Sequence, residues 1–252
     1  MIMDSIVQRS VVAQLTRRPQ VVEIGPFVLG WDPTTESPHI NYATPQPDAA
    51  ITGADVEALV AAFRDIRRIP RLEYVTACAP GLEAQLRAAG FTVEARHDYL
   101  VCSPGALAVP AAPDGVELAV PATDGDRAAV VAAQNEAFGG EAVATAADVA
   151  RIRRLQEIGA PVLSARTAEG ECVGGGQASV LGAGVSEVGG IAVRAAYRRR
   201  GIAGALTAAI TERVFAAGGE HAWLEASGPD SWRVYERVGY RPVGKRLYLR
   251  LG

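Results

Sequence analysis

Between Val185 and Ala217 the sequence changes character twice. Val185–Arg194 is an apolar run of strand type. Arg198-Arg199-Arg200 follows as a short basic loop, and Gly201–Ala217 then carries Ile202, Leu206, Ile210 and Val214 four residues apart, the spacing of a helix with one buried stripe. Gly218-Gly219 ends that helix. A strand–loop–helix unit of this kind has a chemical consequence. The first turn of a helix exposes unpaired backbone N–H groups and a partial positive charge, and the two together hold phosphate oxygens. Gly201 has no side chain, so backbone and ligand can come close. Ala203 and Gly204 keep the next half-turn small. Arg198, Arg199 and Arg200 add positive charge in a geometry suited to phosphate. A Walker-type loop is excluded, because no Gly-Lys-Ser/Thr follows the glycines, and the dinucleotide fingerprint G-x-G-x-x-G is absent.

The surrounding elements read as α/β. Gly115–Pro121 is a short strand. Thr123-Asp124-Gly125-Asp126 offers an N-cap and early acids for a helix to about Phe138, and Thr145-Ala146-Ala147-Asp148 opens a second helix ending near Gly159. Pro161–Arg166 and Cys172–Leu181 read as paired strands, His221–Ala226 as another, Asp230–Val238 as a helix and Arg246–Leu251 as the last strand. The uncharged, Pro-rich stretch Ser103–Pro113 reads as a linker. It divides the chain into residues 1–104, a linker at 105–113, and residues 114–252.

The two parts echo each other. RLEYVTACAPGLEAQLRAAGFTVEARHDYLV near the end of the first part resembles WLEASGPDSWRVYERVGYRPVGKRLYLR at the end of the second. Pro80 and Pro229, Gly90 and Gly239, Phe91 and Tyr240, and Tyr99 and Tyr248 are all 149 positions apart. This reads as an internal repeat of strand, helix, Gly-aromatic and strand.

Composition excludes several classes. The 252 residues are 49% apolar with a net charge of −3, enough for a sizeable core and not basic enough for nucleic acid as the main partner. No run reaches the about 18 apolar residues that a membrane helix needs, and no signal peptide is visible, so a cytoplasmic protein away from the membrane is expected. Cys78, Cys102 and Cys172 have no metal-ligand or disulfide spacing, and with the scattered histidines they give no metal site.

Arg198-x-x-Gly201-x-Ala203 matches the R/Q-x-x-G-x-G/A motif of the GNAT acetyltransferase superfamily, and Tyr235-Glu236-Arg237-Val238-Gly239-Tyr240 resembles the family's Y-E-x-x-G-F/Y signature. The resemblance covers about residues 115–252. It implies tandem GNAT-like domains in an α/β fold. Each would have a mixed, mostly antiparallel sheet flanked by helices, with a splayed strand at the acetyl-CoA site of the second. Ile191, Ala192 and Val193 would offer backbone groups to the pantetheine arm, and Arg198, Arg199, Arg200, Gly201, Ile202, Ala203 and Gly204 would hold the pyrophosphate. Tyr235 would stand near the thioester sulfur. A tyrosine, with a pKa of about 10, keeps its proton at neutral pH and so can serve as general acid toward the leaving thiolate.

Glu187 is the candidate general base, because it opens the strand that carries Ile191 and Val193; simple alternation puts Glu187, Gly189, Ile191 and Val193 on one face. Glu136 and Glu141 flank Phe138-Gly139-Gly140 and are candidates for the acceptor site. Cys172 follows two acids, which would raise its pKa and leave it unreactive. Gly174-Gly175-Gly176 and Gly189-Gly190 leave room for an acyl group larger than acetyl, or equally mark bulges in their strands.

The first part lacks the loop: Pro45-Gln46-Pro47-Asp48 stands there, and Leu86 replaces Tyr235 at the 149-residue offset. It is expected to be a degenerate copy that does not bind coenzyme A but serves as a built-in partner or a wall of the acceptor pocket. The expected activity is direct acetyl transfer from acetyl-CoA to a primary amine, on a small molecule or a peptide N-terminus. The rival reading is a GNAT-fold module that binds acetyl-CoA as a sensor without catalysis. A homodimer is compatible with either.

Overall fold

The computed structural model describes residues 2–111 and 113–252; Ala112, in the expected linker, lies outside the described residues. The chain forms two compact units. The first runs to Tyr99 and also takes Pro242–Gly252, and the second is Leu100–Arg241.

The first unit contains α1 (Ile2–Leu15), β1 (Gln20–Ile24), β2 (Phe27–Trp31), β3 (Tyr42–Pro45), α2 (Gly53–Asp65), β4 (Arg71–Val75), α3 (Leu82–Ala88), most of β5 (Phe91–Cys102), and the chain's final strand β11 (Arg241–Leu251). Its strand order is β1-β2-β3-β4-β11-β5. β3 and β4 are parallel and joined through α2, whereas β11 lies antiparallel on β4 with Leu247 opposite Tyr74 and Leu249 opposite Leu72. Phe27, Leu29, Leu59, Phe63, Leu72, Leu86, Leu247 and Leu249 form one core. The division read from the sequence assigns the last strand to residues 114–252; in the structure it completes the first unit. An alternating apolar pattern defines which face of a strand is buried but does not name the strand it pairs with.

The second unit contains β6 (Val116–Ala119), α4 (Asp124–Ala137), α5 (Ala146–Glu157), β7 (Val162–Thr167), β8 (Cys172–Ala178), β9 (Val185–Val193), α6 (Ile202–Ala216), β10 (His221–Glu225) and α7 (Pro229–Val238). The order is β6-β7-β8-β9-β10, and the end of β5 follows β10. β6 to β9 are antiparallel; β10 is parallel to β9, as the α6 crossover requires. A Cβ on Gly175 would meet Val130 of α4, and one on Gly176 would meet Ile210 of α6. Successive strand residues point to opposite faces, so α4 and α6 cover the two sides of this mixed sheet.

Both units use the same local device to begin helices. Thr52, Thr123 and Thr145 each cap a helix through reciprocal bonds with Asp55, Asp126 and Asp148. The start of the Pro-rich segment is docked: Ala108 N donates to Val238 O at 3.0 Å. Gly239 makes this docking feasible. Its φ is +109°, and a Cβ there would clash with the Ala106 carbonyl. Among the described residues, no helix is long and apolar enough to cross a membrane.

Candidate functional site

β9 and β10 part company inside the sheet. Their pairing runs His221–Val185, Ala222–Ser186 and Trp223–Glu187, and no further. From Val188 onward β9 is held only on its β8 side. There Gly175 pairs with Ala192 and Gln177 with Gly189, so Gly176 alone faces both Gly190 and Ile191. That is a β-bulge, and Gly190 takes it up with φ +63°. Gln134 of α4, 8% exposed, reaches down to it: Nε2 donates to Gly190 O at 2.8 Å and to Gln177 Oε1 at 2.9 Å.

The bulge corrects the expected alternation. Val188 pairs with Ala178 and both join the α6-side core, so Glu187 and Gly189 face α4. One extra residue then reverses the pattern, and Ile191 and Val193 face α6, where a Cβ on Gly176 would strike the Ile191 side chain. Glu187 therefore shares no face with Ile191 and Val193.

β9 leads through a 3-10 turn at Ala195–Tyr197 into α6. Arg199 and Gly201 both have left-handed backbone, φ +61° and +82°. Gly201 is the N-cap of α6 and provides no side-chain cap, in contrast to the threonine boxes above. A Cβ on Gly201 would meet nothing within 4 Å, so open space lies in front of the helix start. The three arginines differ in role. Arg198 is a brace: Nε donates to Val193 O at 3.1 Å and Nη2 to Ala137 O at 2.9 Å. Arg200 donates to Ala196 O at 3.1 Å and lies over the Tyr197 ring. Arg199 is exposed. Ile202 is buried in the core and anchors the first turn, while Ala203 and Gly204 are half-buried.

Tyr235 of α7 is 9% exposed and packs in the α6-side core with Val193 and Leu206, edge-on to Tyr240 at 6.4 Å. Burial pushes its phenol up to about 12. Glu187 is half-buried at the last β9–β10 pair. Its N–H donates to Ser179 Oγ at 3.0 Å, and its carbonyl accepts from Ser179 N at 2.8 Å. Glu136 is exposed and ion-paired with Arg194 at 3.4 Å; Arg194 also meets Glu171 at 3.2 Å. Glu141 is exposed beyond the end of α4. The Cys172 thiol is raised, but burial is the main cause, not the adjacent acids. The three glycines of β8 do not make room for a larger acyl group: Ala192 O, Val130 and Ile191 fill the space beside them. Gln134 is the site residue that the sequence did not disclose. Nothing in its helix marks it except that a polar residue falls on the buried side.

The first unit has a counterpart of this strand–helix–strand element, with the helix start closed. α2 connects parallel β3 and β4 as α6 connects β9 and β10, yet Thr52 and Asp55 bond its first turn. These bonds hold the Asp55 carboxyl below its usual range. A carboxylate of the chain itself thus stands where an outside anion would bind.

The second unit's sequence from residue 130 to 240 matches the model of the acetyltransferase (GNAT) family. This chain carries a GNAT domain. The match spans the GNAT domain from mid-α4 to the residue after Gly239, and so includes the bulge, the basic loop, α6 and Tyr235. Solved structures similar to the whole chain agree. A GCN5-related N-acetyltransferase from Kribbella flavida superposes with a TM-score of 0.80 at 26% identity, covering 98% of this chain and 95% of that one. A GCN5-related N-acetyltransferase from Sphaerobacter thermophilus gives 0.66 at 17% identity, covering 98% and 90%. A tandem GNAT protein from the clavulanic acid biosynthesis pathway gives 0.59 at 16%, covering 90% and 78%. No curated protein matches the sequence significantly. The GNAT domain is an acyltransferase fold, and members of its family use acetyl-CoA. The open, uncapped start of α6 beside a basic loop fits an anionic pyrophosphate.

Proposed function

We propose that this protein transfers an acetyl group from acetyl-CoA directly to a primary amine. The observation that carries the reading is the uncapped start of α6, placed just beyond the point where β9 leaves β10. Backbone N–H groups from Arg199 to Gly204 hold the pyrophosphate, with charge from Arg199 and Arg200. Arg198 contributes by fixing the loop to Val193 and Ala137. Ile191, Ala192 and Val193 lie where β10 no longer pairs with β9, and their backbone groups take an extended pantetheine arm as they would an added strand. Bound acetyl-CoA supplies the activated acyl group as a thioester.

The two candidate proton-handling groups face opposite sides of the sheet. Glu187, on the α4 side at the fork, accepts a proton from the incoming ammonium, directly or through water. Tyr235, on the α6 side, faces the departing sulfur. With its phenol pushed up to about 12, Tyr235 holds its proton firmly at neutral pH. Full transfer to a solvated thiolate, whose thiol has a pKa of about 8.5, is uphill. Tyr235 therefore acts first as a hydrogen-bond donor to the sulfur, and the proton moves only as burial raises the thiol as well. Amine entry is from the end of α4, where Glu141 is exposed and Arg194 holds Glu136.

The test is thiol release from acetyl-CoA over a panel of polyamines, amino acids and peptide N-termini. Amine-dependent, saturable release is expected for at least one class. Tight acetyl-CoA binding with no release for any amine would reject catalysis and leave a binding module.

A further inference from the structure

The donor-site reading accounts for β9, its loop and α6, but not for the buried carboxamide that meets β9 from the other side. Gln134 lies in the last turns of α4, nine-tenths buried, and both hydrogens of its Nε2 are used. One goes to Gly190 O at 2.8 Å and the other to Gln177 Oε1 at 2.9 Å. The orientation of the amide is fixed by chemistry, because a carbonyl oxygen can only accept. Gly190 is confined here from two directions. Its φ of +63° suits glycine, and a Cβ would lie 2.6 Å from Gln134 Nε2 and 2.8 Å from the Gln177 amide. Gln134 thus ties Gly190 and Gln177 into one hydrogen-bonded unit at the bulge.

A bulge has more than one local geometry, and β10 cannot select among them here, because its pairing has stopped at Glu187. β8 cannot select alone either, since Gly176 faces two residues of β9. The selecting contact comes from α4. We infer that Gln134 is a positioning residue for the acyl donor: by holding the Gly190 carbonyl toward α4, it sets which backbone groups of Ile191, Ala192 and Val193 the fork presents to the pantetheine arm. Gln177 has a lesser share, since its hydrogen bond goes to Gln134 and not to the Gly190 carbonyl. The inference rests on the donor-site reading, and one experiment separates the two.

Acetyl-CoA contains the arm, whereas its nucleotide end alone, 3′-phospho-ADP, contains the pyrophosphate and no arm. In the intact protein, Gln134→Met removes the donor at similar length. The KM for acetyl-CoA should rise about five- to thirtyfold, the factor corresponding to one buried hydrogen bond. The dissociation constant of 3′-phospho-ADP should change less than about twofold by calorimetry, a difference too small to represent a lost hydrogen bond. Gln134→Glu, which keeps the shape but offers acceptors only, must give the same split and guards against a misfolded methionine variant. Gln177→Met should raise the acetyl-CoA KM by less than Gln134→Met does. Equal weakening of both ligands would make Gln134 merely structural and overturn the inference, as would an unchanged acetyl-CoA KM in both Gln134 variants. Wild-type protein that binds 3′-phospho-ADP while Gln134→Met fails the split sinks this inference alone; wild-type protein that binds neither ligand sinks the donor site itself.

Discussion

Gly201 and Gly218 stand at the two ends of α6, and nature supplies them as a matched pair. Both have left-handed backbone, φ +82° and +90°, and a Cβ on either would meet nothing within 4 Å. Replacing either with valine therefore imposes the same kind of backbone strain, about 1–2 kcal/mol and somewhat more for a branched side chain, with no clash to add. The difference lies in what each end does. At Gly201 the strain falls on the turn that presents the first N–H groups of α6, the groups assigned to the phosphate. A hydrogen bond to a charged group contributes about 1.5–3 kcal/mol, so loss of one corresponds to about ten- to 150-fold in affinity. Gly201→Val should weaken coenzyme A by that factor, and Gly218→Val should not. Chemical denaturation should show a similar loss of stability in both, and calorimetry with coenzyme A should separate them. Unchanged affinity in Gly201→Val, or equal weakening in the two variants, would refute the assignment of the phosphate site to the α6 start.

Three further outcomes rest on the same structure. Tyr235→Phe should lower turnover by about a hundred- to ten-thousandfold, the range for a single acid–base group, with little change in coenzyme A affinity, and steady-state kinetics beside calorimetry will check it. The phenol is raised by burial from 10.0 to about 12, so its contribution to stability is intact below pH 10 and is lost as the pH climbs from 10 to 12; the unfolding midpoint of Tyr235→Phe should fall less over that window. Thr52→Ala removes the cap of α2, should cost about 1 kcal/mol, and should leave coenzyme A binding unchanged, as denaturation and calorimetry will show.

Much of the second unit was legible because its signals are local. Ile202, Leu206, Ile210 and Val214 announce α6, Thr123 and Thr145 announce the starts of α4 and α5, and the loop motif sits between a strand and a helix as the chemistry requires. Gly90 and Gly239, matched by the repeat, share left-handed backbone at φ +91° and +109°. What stayed hidden depends on partners distant in sequence. The placement of β11 beside β4 is a choice of partner that alternation cannot make. The bulge at Gly190 inverts the faces of Ile191 and Val193; the glycine pair Gly189-Gly190 hints at a bulge, but the apolar run does not say which residue is the extra one. Gln134 is one polar residue among many until the fold brings it to Gly190. The glycines of β8 looked like space and are instead sites of close packing.

The central claim is one acyl-donor site per chain, at the fork of β9 and β10 and the start of α6, with the equivalent position in the first unit closed by Thr52 and Asp55. Calorimetric titration of the intact protein with acetyl-CoA tests it most directly. The account predicts one equivalent bound per chain, abolished or strongly weakened by Gly201→Val. Two equivalents per chain, or one equivalent bound undiminished by Gly201→Val, would contradict it.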